Sequence, residues 1–294
     1  MLSKEEVDLL SSQGFVSLPQ ITTEEEASQI RVRLERLFAN RAGENEGAYG
    51  ELAAEGDDGE EPNSPQINLP VNYAPELHKT KCFLHAREIA RQILGEHAAF
   101  VIDFAIYKRA GDGEATPWHQ DIAFRDPRFE YKEVTIWVAL QNIDENSGCM
   151  MFVPKSHRGP VYQHRQTNSE GKSISLTCGD EFDAATAVTV EVPVGGCTIH
   201  LPQTLHRSTP NHGDVPRIVY IMTFGTPPVP TFKPTVASPW TGAELKVQVQ
   251  KRRWMRRGGV FITLWRRVRR GALKDWRTLF YLGVRATKTI LSGK

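Results

Sequence analysis

The sequence predicts a mainly β fold: a double-sheet jelly roll with flanking helices and a helical tail at the end of the chain. Two patterns in the 294 residues lead to this prediction. Helical periodicity is confined to the first third of the chain and to the tail. Between them, short segments rich in β-branched and aromatic residues are separated by clusters of Gly, Pro, Asn and Asp. Such a series of strands, with helices gathered at one end, is typical of two packed sheets.

The chain is predicted to open with a strand and a helix. Residues 14–19 have the pattern of a short strand. A helix is then expected to begin at Thr22 or Thr23 and to run to about Asn40. Glu26 lies three positions after Thr23, as in a capping box, and apolar residues repeat at helical spacing after it.

A loop and a second helix are predicted next. Residues 43–66 are rich in Gly, Glu and Asp, so they bury little apolar surface and predict a mobile acidic loop, a candidate lid. Residues 84–95 are predicted to form a helix that ends at Gly95.

Strands dominate the rest of the body. The predicted segments are 99–108, 133–142, 149–154, 187–193, 196–201 and 217–224. Residues 163–186 are polar and weakly patterned, which predicts an insert between two strands.

Composition is that of a globular protein in a reducing compartment. With 40% hydrophobic residues, a chain of this length can bury a full core. Its first residues are polar and charged, unlike a secretory signal, and no stretch reaches the roughly 18 apolar residues of a membrane span. The four cysteines form no CxxC pair, as expected for reduced, buried thiols. We therefore expect a cytoplasmic protein.

Charge divides the chain into an acidic body and a basic tail. Residues 246–294 contain 15 Lys or Arg and a single acid, Asp275, so this segment carries about +14 and the remainder about −13. We expect one domain over residues 1–240 and a separate tail over residues 241–294.

The most informative motif is His119-Gln120-Asp121. In an extended segment residues i and i+2 share a face, so His119 and Asp121 can hold one ion while Gln120 points elsewhere. A third ligand must come from another strand, and residues 201–206 are placed to deliver His206. Two imidazoles and one carboxylate form the facial triad that binds non-haem Fe(II) and leaves positions open for a co-substrate and O2. The pattern therefore predicts an oxygenase.

Longer motifs around these residues resemble the phytanoyl-CoA dioxygenase family of Fe(II)- and 2-oxoglutarate-dependent oxygenases. The resemblance covers roughly residues 12–226. It is carried by residues 116–121 (TPWHQD), 146–150 (NSGCM), 154–157 (PKSH), 200–202 (HLP) and 206–208 (HRS), followed by Arg217.

The resemblance implies roles for individual residues. His119, Asp121 and His206 would bind Fe(II), with 2-oxoglutarate and O2 as co-substrates. Arg217 would receive the distal carboxylate of 2-oxoglutarate through two parallel charge-assisted hydrogen bonds, and Ser208 would bind the same carboxylate. The family often lines its co-substrate pocket at the positions of Gln120, Trp137 and Lys108. Related halogenases lack the carboxylate ligand, so Asp121 favours hydroxylation.

Four further histidines are predicted not to bind metal. His157 is expected to pack in its turn. His200 shares a strand face with His206, but six residues of extended strand span roughly 20 Å, too far for one ion. His164 and His212 are expected in loops.

Three more side chains follow or precede the motif closely. Trp118 is expected to form a wall of the pocket. Arg125 and Arg128 are placed either to contact an anionic substrate or to form solvated salt bridges.

The tail has the pattern of a basic amphipathic helix. Apolar residues recur at helical spacing and form a stripe along one face, while the arginines fall mostly on the other faces. The stripe is made of Phe261, Leu264, Trp265, Val268, Ala272, Leu273, Trp276, Leu279, Phe280 and Gly283. One interpretation is a helix lying on an anionic membrane surface, where each basic residue contributes about 1 kcal/mol. Another is that the stripe packs on the body while the arginines balance its acidic loop. No nucleic-acid module accompanies the charge, so no nucleic-acid partner is expected.

Taken together, the patterns predict an Fe(II)- and 2-oxoglutarate-dependent hydroxylase acting near a membrane on a lipid-like, acyl-linked or anionic substrate. A soluble oxygenase that tailors a small secondary metabolite is an alternative. A non-catalytic metal-binding interaction module is a third possibility.

Overall fold

A computed structural model describes residues 1–52, 64–111, 114–167, 175–179, 182–231 and 254–269. Four α-helices lie in these ranges: α1 (Lys4–Gln13), α2 (Glu24–Ala39), α3 (Lys81–Leu94) and α4 (Val260–Arg269). In this part of the chain, no helix is both long and apolar enough to cross a bilayer.

Fifteen strands are described, most of them short. They are β1 (Phe15–Leu18), β2 (Tyr49–Glu51), β3 (Pro65–Asn68), β4 (Ala99–Lys108), β5 (Thr116–His119), β6 (Phe129–Glu130), β7 (Glu133–Ala139), β8 (Met150–Phe152), β9 (His164–Gln166), β10 (Leu176–Cys178), β11 (Val188–Val190), β12 (Cys197–His200), β13 (His206–Ser208), β14 (Arg217–Gly225) and β15 (Val229–Pro230).

The strands form the two facing sheets of a jelly roll. The major sheet has the order β1-β12-β7-β14-β4-β3-β2, and the minor sheet has the order β11-β8-β13-β5. All pairings in both sheets are antiparallel. The predicted mainly β fold with flanking helices is confirmed.

The central strands of the major sheet are buried on both faces. Along β7, Ile136 and Val138 belong to the core shared with α1, α2 and α3. The alternate residues Trp137 and Ala139 belong to a second core inside the roll. Helices thus cover one face and the minor sheet covers the other, which explains why this strand has no polar alternation.

Helix α2 is fixed to α3 by a cap that extends the predicted one. The N–H of Glu26 donates to the Thr23 hydroxyl at 3.2 Å, as a capping box requires. The Glu26 carboxylate, however, accepts the N–H groups of Lys81 and Cys82, both at 2.9 Å, and so caps the first turn of α3. The predicted helix over 84–95 accordingly begins earlier, at Lys81.

Two expectations for local structure are corrected, and the predicted insert at 163–186 lies between β8 and β11. Residues 44–51 and 65–66 are not all loop, because β2 and β3 pair at the edge of the major sheet; residues 53–63 lie outside the described chain. The insert at 163–186 contains the hairpin β9–β10. Residues 201–205 form a turn between β12 and β13, not a strand leading to His206.

The beginning of the tail helix lies against the body. A turn over Met255–Gly259 precedes α4, and Arg266 forms an ion pair with Glu46 at 2.6 Å. Glu46 belongs to the predicted acidic loop, so this part of the tail does pack on the body. The division into domains at residue 240 remains a prediction.

Candidate active site

Neighbouring strands of the minor sheet bring the predicted triad together. His119 ends β5 and pairs directly with His206, which begins β13. Asp121 follows two residues later, after an extended Gln120, so it points to the same side as His119. The Asp121 Oδ1 atom lies 3.8 Å from Nε2 of His119 and 3.6 Å from Nε2 of His206. All three donor atoms lie within 4.8 Å of one another, a spacing that one metal ion fits.

Backbone hydrogen bonds orient both imidazoles. Nδ1 of His119 lies 2.8 Å from the carbonyl oxygen of Pro117, and Nδ1 of His206 lies 2.8 Å from that of Thr204. A carbonyl can only accept, so each Nδ1 carries the proton and each Nε2 presents its lone pair to the centre. This is the usual way in which proteins set the tautomer of a metal-binding histidine.

The electrostatics favour the protonation states that a metal needs. Burial lowers the pKa of His119, and burial together with the neighbouring His119 lowers the pKa of His206 well below its usual value. Burial alone would raise the pKa of Asp121, but the imidazoles of His206, His200 and His119 outweigh it and hold this pKa below its usual range. Neutral imidazoles and a charged carboxylate are the forms that bind Fe(II).

The second oxygen of Asp121 is held by two other side chains. Oδ2 accepts a hydrogen bond from the Thr135 hydroxyl at 2.9 Å and lies 3.2 Å from Nε2 of His200. The expectation that His200 lies far from the site is wrong, because the turn at 201–205 brings its ring centroid to 4.4 Å from that of His206. His200 is outside the group of three donors, and it orients the carboxylate.

A cationic end of the cavity adjoins the triad. Arg217 begins β14, is 1% exposed, and its Cζ lies 5.7 Å from the centre of the Trp137 ring. The Ser208 hydroxyl donates to Thr116 at 2.8 Å and accepts from Nζ of Lys108 at 3.1 Å. A buried guanidinium beside a hydroxyl suits the distal carboxylate of a dicarboxylic acid.

The glycine of the Asn-Ser-Gly motif is required by its position beside Arg217. Gly148 has φ of +89°, and a Cβ placed on it would lie 3.2 Å from Nε of Arg217. A residue with a side chain would therefore be strained and would crowd the guanidinium.

Comparison with known proteins identifies the family. The family model described as phytanoyl-CoA dioxygenase (PhyH) matches residues 10–219. The chain belongs to the phytanoyl-CoA dioxygenase family. This is a family of Fe(II)- and 2-oxoglutarate-dependent dioxygenases, as the sequence motifs predict.

Similar individual proteins agree with this assignment. The chain is 34% identical over 133 residues to a probable alpha-ketoglutarate-dependent hypophosphite dioxygenase of Stutzerimonas stutzeri, a match covering 44% of this chain and 46% of the relative. It is 33% identical over 120 residues to phytanoyl-CoA dioxygenase domain-containing protein 1 of Danio rerio, covering 39% and 40%. The matched stretches thus span about half or less of these curated relatives.

A solved structure matches over more of the chain. EvdO2 from Micromonospora carbonacea var. aurantiaca, complexed with 2-oxoglutarate, is 31% identical with a TM-score of 0.71. The match covers 83% of this chain and 98% of EvdO2.

Gln120 and Lys108, which the family resemblance places in the co-substrate pocket, are not among the residues that line this cavity. Gln120 is buried, donates to the carbonyl oxygens of Pro160 and Gln203, and accepts the N–H of Tyr162. Gln120 therefore holds together the loops that contain Pro160, Tyr162 and Gln203. Lys108 is also buried, but acts behind Ser208 and is not part of the cavity wall. Trp137, Ser208 and Arg217 do line the cavity.

Two other expectations around the family motif are corrected, and for Arg125 and Arg128 the salt-bridge alternative is observed. Trp118 is not in the cavity wall; it packs against Phe182, with the ring centroids 5.4 Å apart. His164 is not a loop residue but a buried member of β9, where Nε2 accepts the N–H of Gln120 at 3.0 Å. Arg125 and Arg128 form salt bridges, to Glu133 at 2.8 Å and to Asp126, respectively.

The cavity of this family member has a volume of about 590 Å³ and reaches from Arg217 past the triad to the surface. Sequence reasoning missed much of its outer part. Those residues come from β3, which neighbours the edge strand β2, from the turn after it and from the tail: Gln66, Asn68, Asn72, Tyr73, Trp254, Met255, Thr263 and Arg266. They share no motif, and they are contributed by distant segments, so no local signal connects them.

Proposed function

We propose that the chain hydroxylates a small, lipid-like substrate in this cavity, using Fe(II), 2-oxoglutarate and O2. The observation that carries the proposal is the triad, which lies inside a cavity that opens to the surface and has Arg217 at its inner end. The 2-oxoglutarate complex of the similar EvdO2 supports this co-substrate. In the overall reaction one oxygen atom enters a C–H bond, the other enters succinate, and CO2 is released.

Different groups of residues would have different roles in this reaction. Bound iron, together with its co-substrates, would supply the oxidising power that breaks the C–H bond. His119, Asp121 and His206 would hold it on one side and leave the other side open. Arg217 and Ser208 would bind the distal carboxylate of 2-oxoglutarate, which fixes the co-substrate relative to the triad. The cavity walls would exclude water and position the substrate.

The lining favours a substrate with an apolar body and a hydrogen-bonding end. About half of the cavity residues beyond the triad are apolar, including Leu52, Leu69, Ile102, Phe104, Ile106, Phe124, Leu176, Ile221, Trp254 and Met255. Asn72 Oδ1 is buried and has no hydrogen-bond partner among the described residues, so it is available to a substrate hydroxyl or amide. Arg125 is already paired with Glu133, which favours the lipid-like over the anionic substrate class.

Membrane attachment is part of this proposal and is supported by the outer face of α4. Phe261, Ile262 and Trp265 are 76%, 43% and 58% exposed, and the surrounding segment is strongly basic. An apolar face bordered by cations suits an anionic bilayer surface. Flotation with anionic vesicles tests the attachment: the full chain should float, and a chain truncated after residue 245 should not. Equal flotation would refute it.

The alternative of a soluble oxygenase that tailors a small metabolite is favoured by one observation. Arg266 and its neighbours pack on the body, which accounts for this part of the tail without a membrane. The same flotation experiment separates the two proposals, since a soluble enzyme would stay at the bottom of the gradient with or without its tail.

Succinate release tests the catalytic proposal itself. Purified chain with Fe(II) and 2-oxoglutarate should release succinate, and His206→Ala should abolish the release. A non-catalytic metal-binding module would bind metal but release none. Mass spectrometry of lipids and metabolites from cells with and without the gene should then reveal a pair that differs by one oxygen atom.

A further inference from the structure

We propose that residues 254–269 form the outer wall of the substrate cavity and select substrates by size. This inference rests on the proposed function, because it concerns access to the same iron site. Four residues of the segment line the cavity: Trp254, Met255, Thr263 and Arg266. The family match ends at residue 219, so the wall comes from a part of the chain beyond it.

One ion pair anchors the wall to the body. Nη1 and Nη2 of Arg266 donate to the two carboxylate oxygens of Glu46, at 2.6 and 3.1 Å. Tyr73 donates its hydroxyl to the same carboxylate at 2.8 Å, and its ring lies 5.0 Å from Cζ of Arg266. The side chains of Arg266 and Glu46 are only 18% and 20% exposed. A two-pronged, partly buried pair of this kind is stronger than an ordinary surface salt bridge.

The anchored residues all come from the outer rim of the cavity. Glu46 lies in the turn before β2, and Tyr73 follows the turn after β3, at the edge of the major sheet. Arg266 therefore fixes α4 across the open side of the roll, where the cavity would otherwise meet solvent. Burial and the adjacent Glu46 carboxylate raise the pKa of Tyr73, so its hydroxyl keeps the proton that it donates.

The turn before α4 presents Trp254 and Met255 to the cavity. A Cβ on Gly259 would overlap the Trp254 ring, so the glycine lets the indole fold back on the helix. Gly258 has φ of +98°, which allows the sharp change of direction there. Thr263 donates to the carbonyl oxygen of Gly259 at 2.9 Å and closes the turn. An indole held in this position narrows the opening of the cavity and so limits the size of the molecules that can reach the iron site.

The size of the opening can be measured with two iron chelators. The full chain, loaded anaerobically with Fe(II) and 2-oxoglutarate, is mixed with a small chelator, 2,2′-bipyridine, or a bulky one, ferrozine, and the coloured complex is followed by stopped flow. We expect wild type to lose iron more slowly to ferrozine. Arg266→Gln and Glu46→Gln should speed capture by ferrozine about tenfold, the loss expected for a charged hydrogen bond. Trp254→Ala removes part of the wall itself and should also speed capture by ferrozine. Capture by bipyridine should change little in all three variants.

The control variant is Arg257→Gln, an exposed arginine of the same segment that does not line the cavity. It should behave as wild type, and thermal unfolding of each variant shows that it is folded. Equal capture rates for the two chelators in wild type, or unchanged ferrozine rates in all three wall variants, would overturn the inference. Failure of wild type to bind 2-oxoglutarate would instead refute the proposed function. The two failures can be told apart because the ratio of the two chelator rates does not depend on turnover.

Discussion

Replacing His200 should weaken metal binding although His200 is not a ligand. Its Nε2 lies 3.2 Å from Oδ2 of Asp121, the oxygen that faces away from the two coordinating histidines. Nδ1 of His200 is buried without a partner among the described residues, so the hydrogen bond of this ring runs through Nε2, which donates to the carboxylate. Losing a hydrogen bond to a charged group costs about 1.5–3 kcal/mol.

The expected loss can be placed within that range. Thr135 would still hold Oδ2 at 2.9 Å, so the carboxylate would not be released completely. We therefore expect His200→Leu to lower the affinity for Fe(II) about tenfold, near the lower end of the 10- to 100-fold typical of residues that orient metal ligands. His200→Gln, whose amide can still donate, should recover most of the affinity.

Anaerobic calorimetric titration with Fe(II) at constant pH measures this effect without turnover. Thr198→Val is the matched control, because Thr198 is buried on the same strand, two residues earlier, and its hydroxyl has no partner in the described structure. Unfolding of the metal-free variants shows whether stability has changed. Wild-type affinity in His200→Leu, or equal losses in the Leu and Gln variants, would refute the positioning role.

Three further predictions concern the surroundings of the site. Arg217→Gln should raise the KM for 2-oxoglutarate about 30-fold or more, since a buried charged partner is lost; a 2-oxoglutarate titration of succinate release measures it, and an unchanged KM would contradict the assignment. Burial lowers the pKa of His164 from 6.5 to about 4. Because the unfolded chain then binds a proton that the folded chain does not, stability should be complete above pH 6.5 and fall by up to about 3 kcal/mol towards pH 4. Urea unfolding across this range should show a smaller fall in His164→Gln, and parallel curves would count against the idea. All four cysteines are buried, and burial raises the pKa of Cys197 to about 12, so a thiol reagent at pH 8 should react only on unfolding; rapid reaction of the native protein would be inconsistent with this packing.

Local patterns predicted most of the fold. The predicted strand over 99–108 coincides with β4, and the 217–224 strand is extended by one residue in β14. Helix α1 was not predicted, because its ten residues contain few apolar ones, but Ser3 and Glu6 form a complete capping box that signals its start. Strands β2 and β3 were hidden by the acidic composition of the segment between them, since β3 is stabilised by pairing with β4, and β2 by pairing with β3.

The triad could be predicted because its geometry is largely local. His119 and Asp121 share a face through the two-residue repeat of extended chain, whatever the rest of the fold does. His200 could not be placed in the same way. Its distance from His206 was derived for a straight strand, whereas five residues of turn separate β12 from β13 and bring the two rings together. The separation of two residues in the sequence therefore predicts the distance between their side chains only where the chain between them keeps one regular conformation.

The tail shows the same limit for a helix. Its apolar stripe predicted Phe261 and Trp265 as a buried or membrane-facing side, and both are exposed. The side that faces the body runs through Met255, Thr263 and Arg266, because Glu46 offers a partner that no hydrophobic pattern reveals. The two proposals for this segment therefore concern opposite faces of one helix. A membrane that binds the outer face would act on the element that closes the cavity, so attachment and substrate entry should be coupled, and wild-type capture of iron by ferrozine should change when anionic vesicles are added.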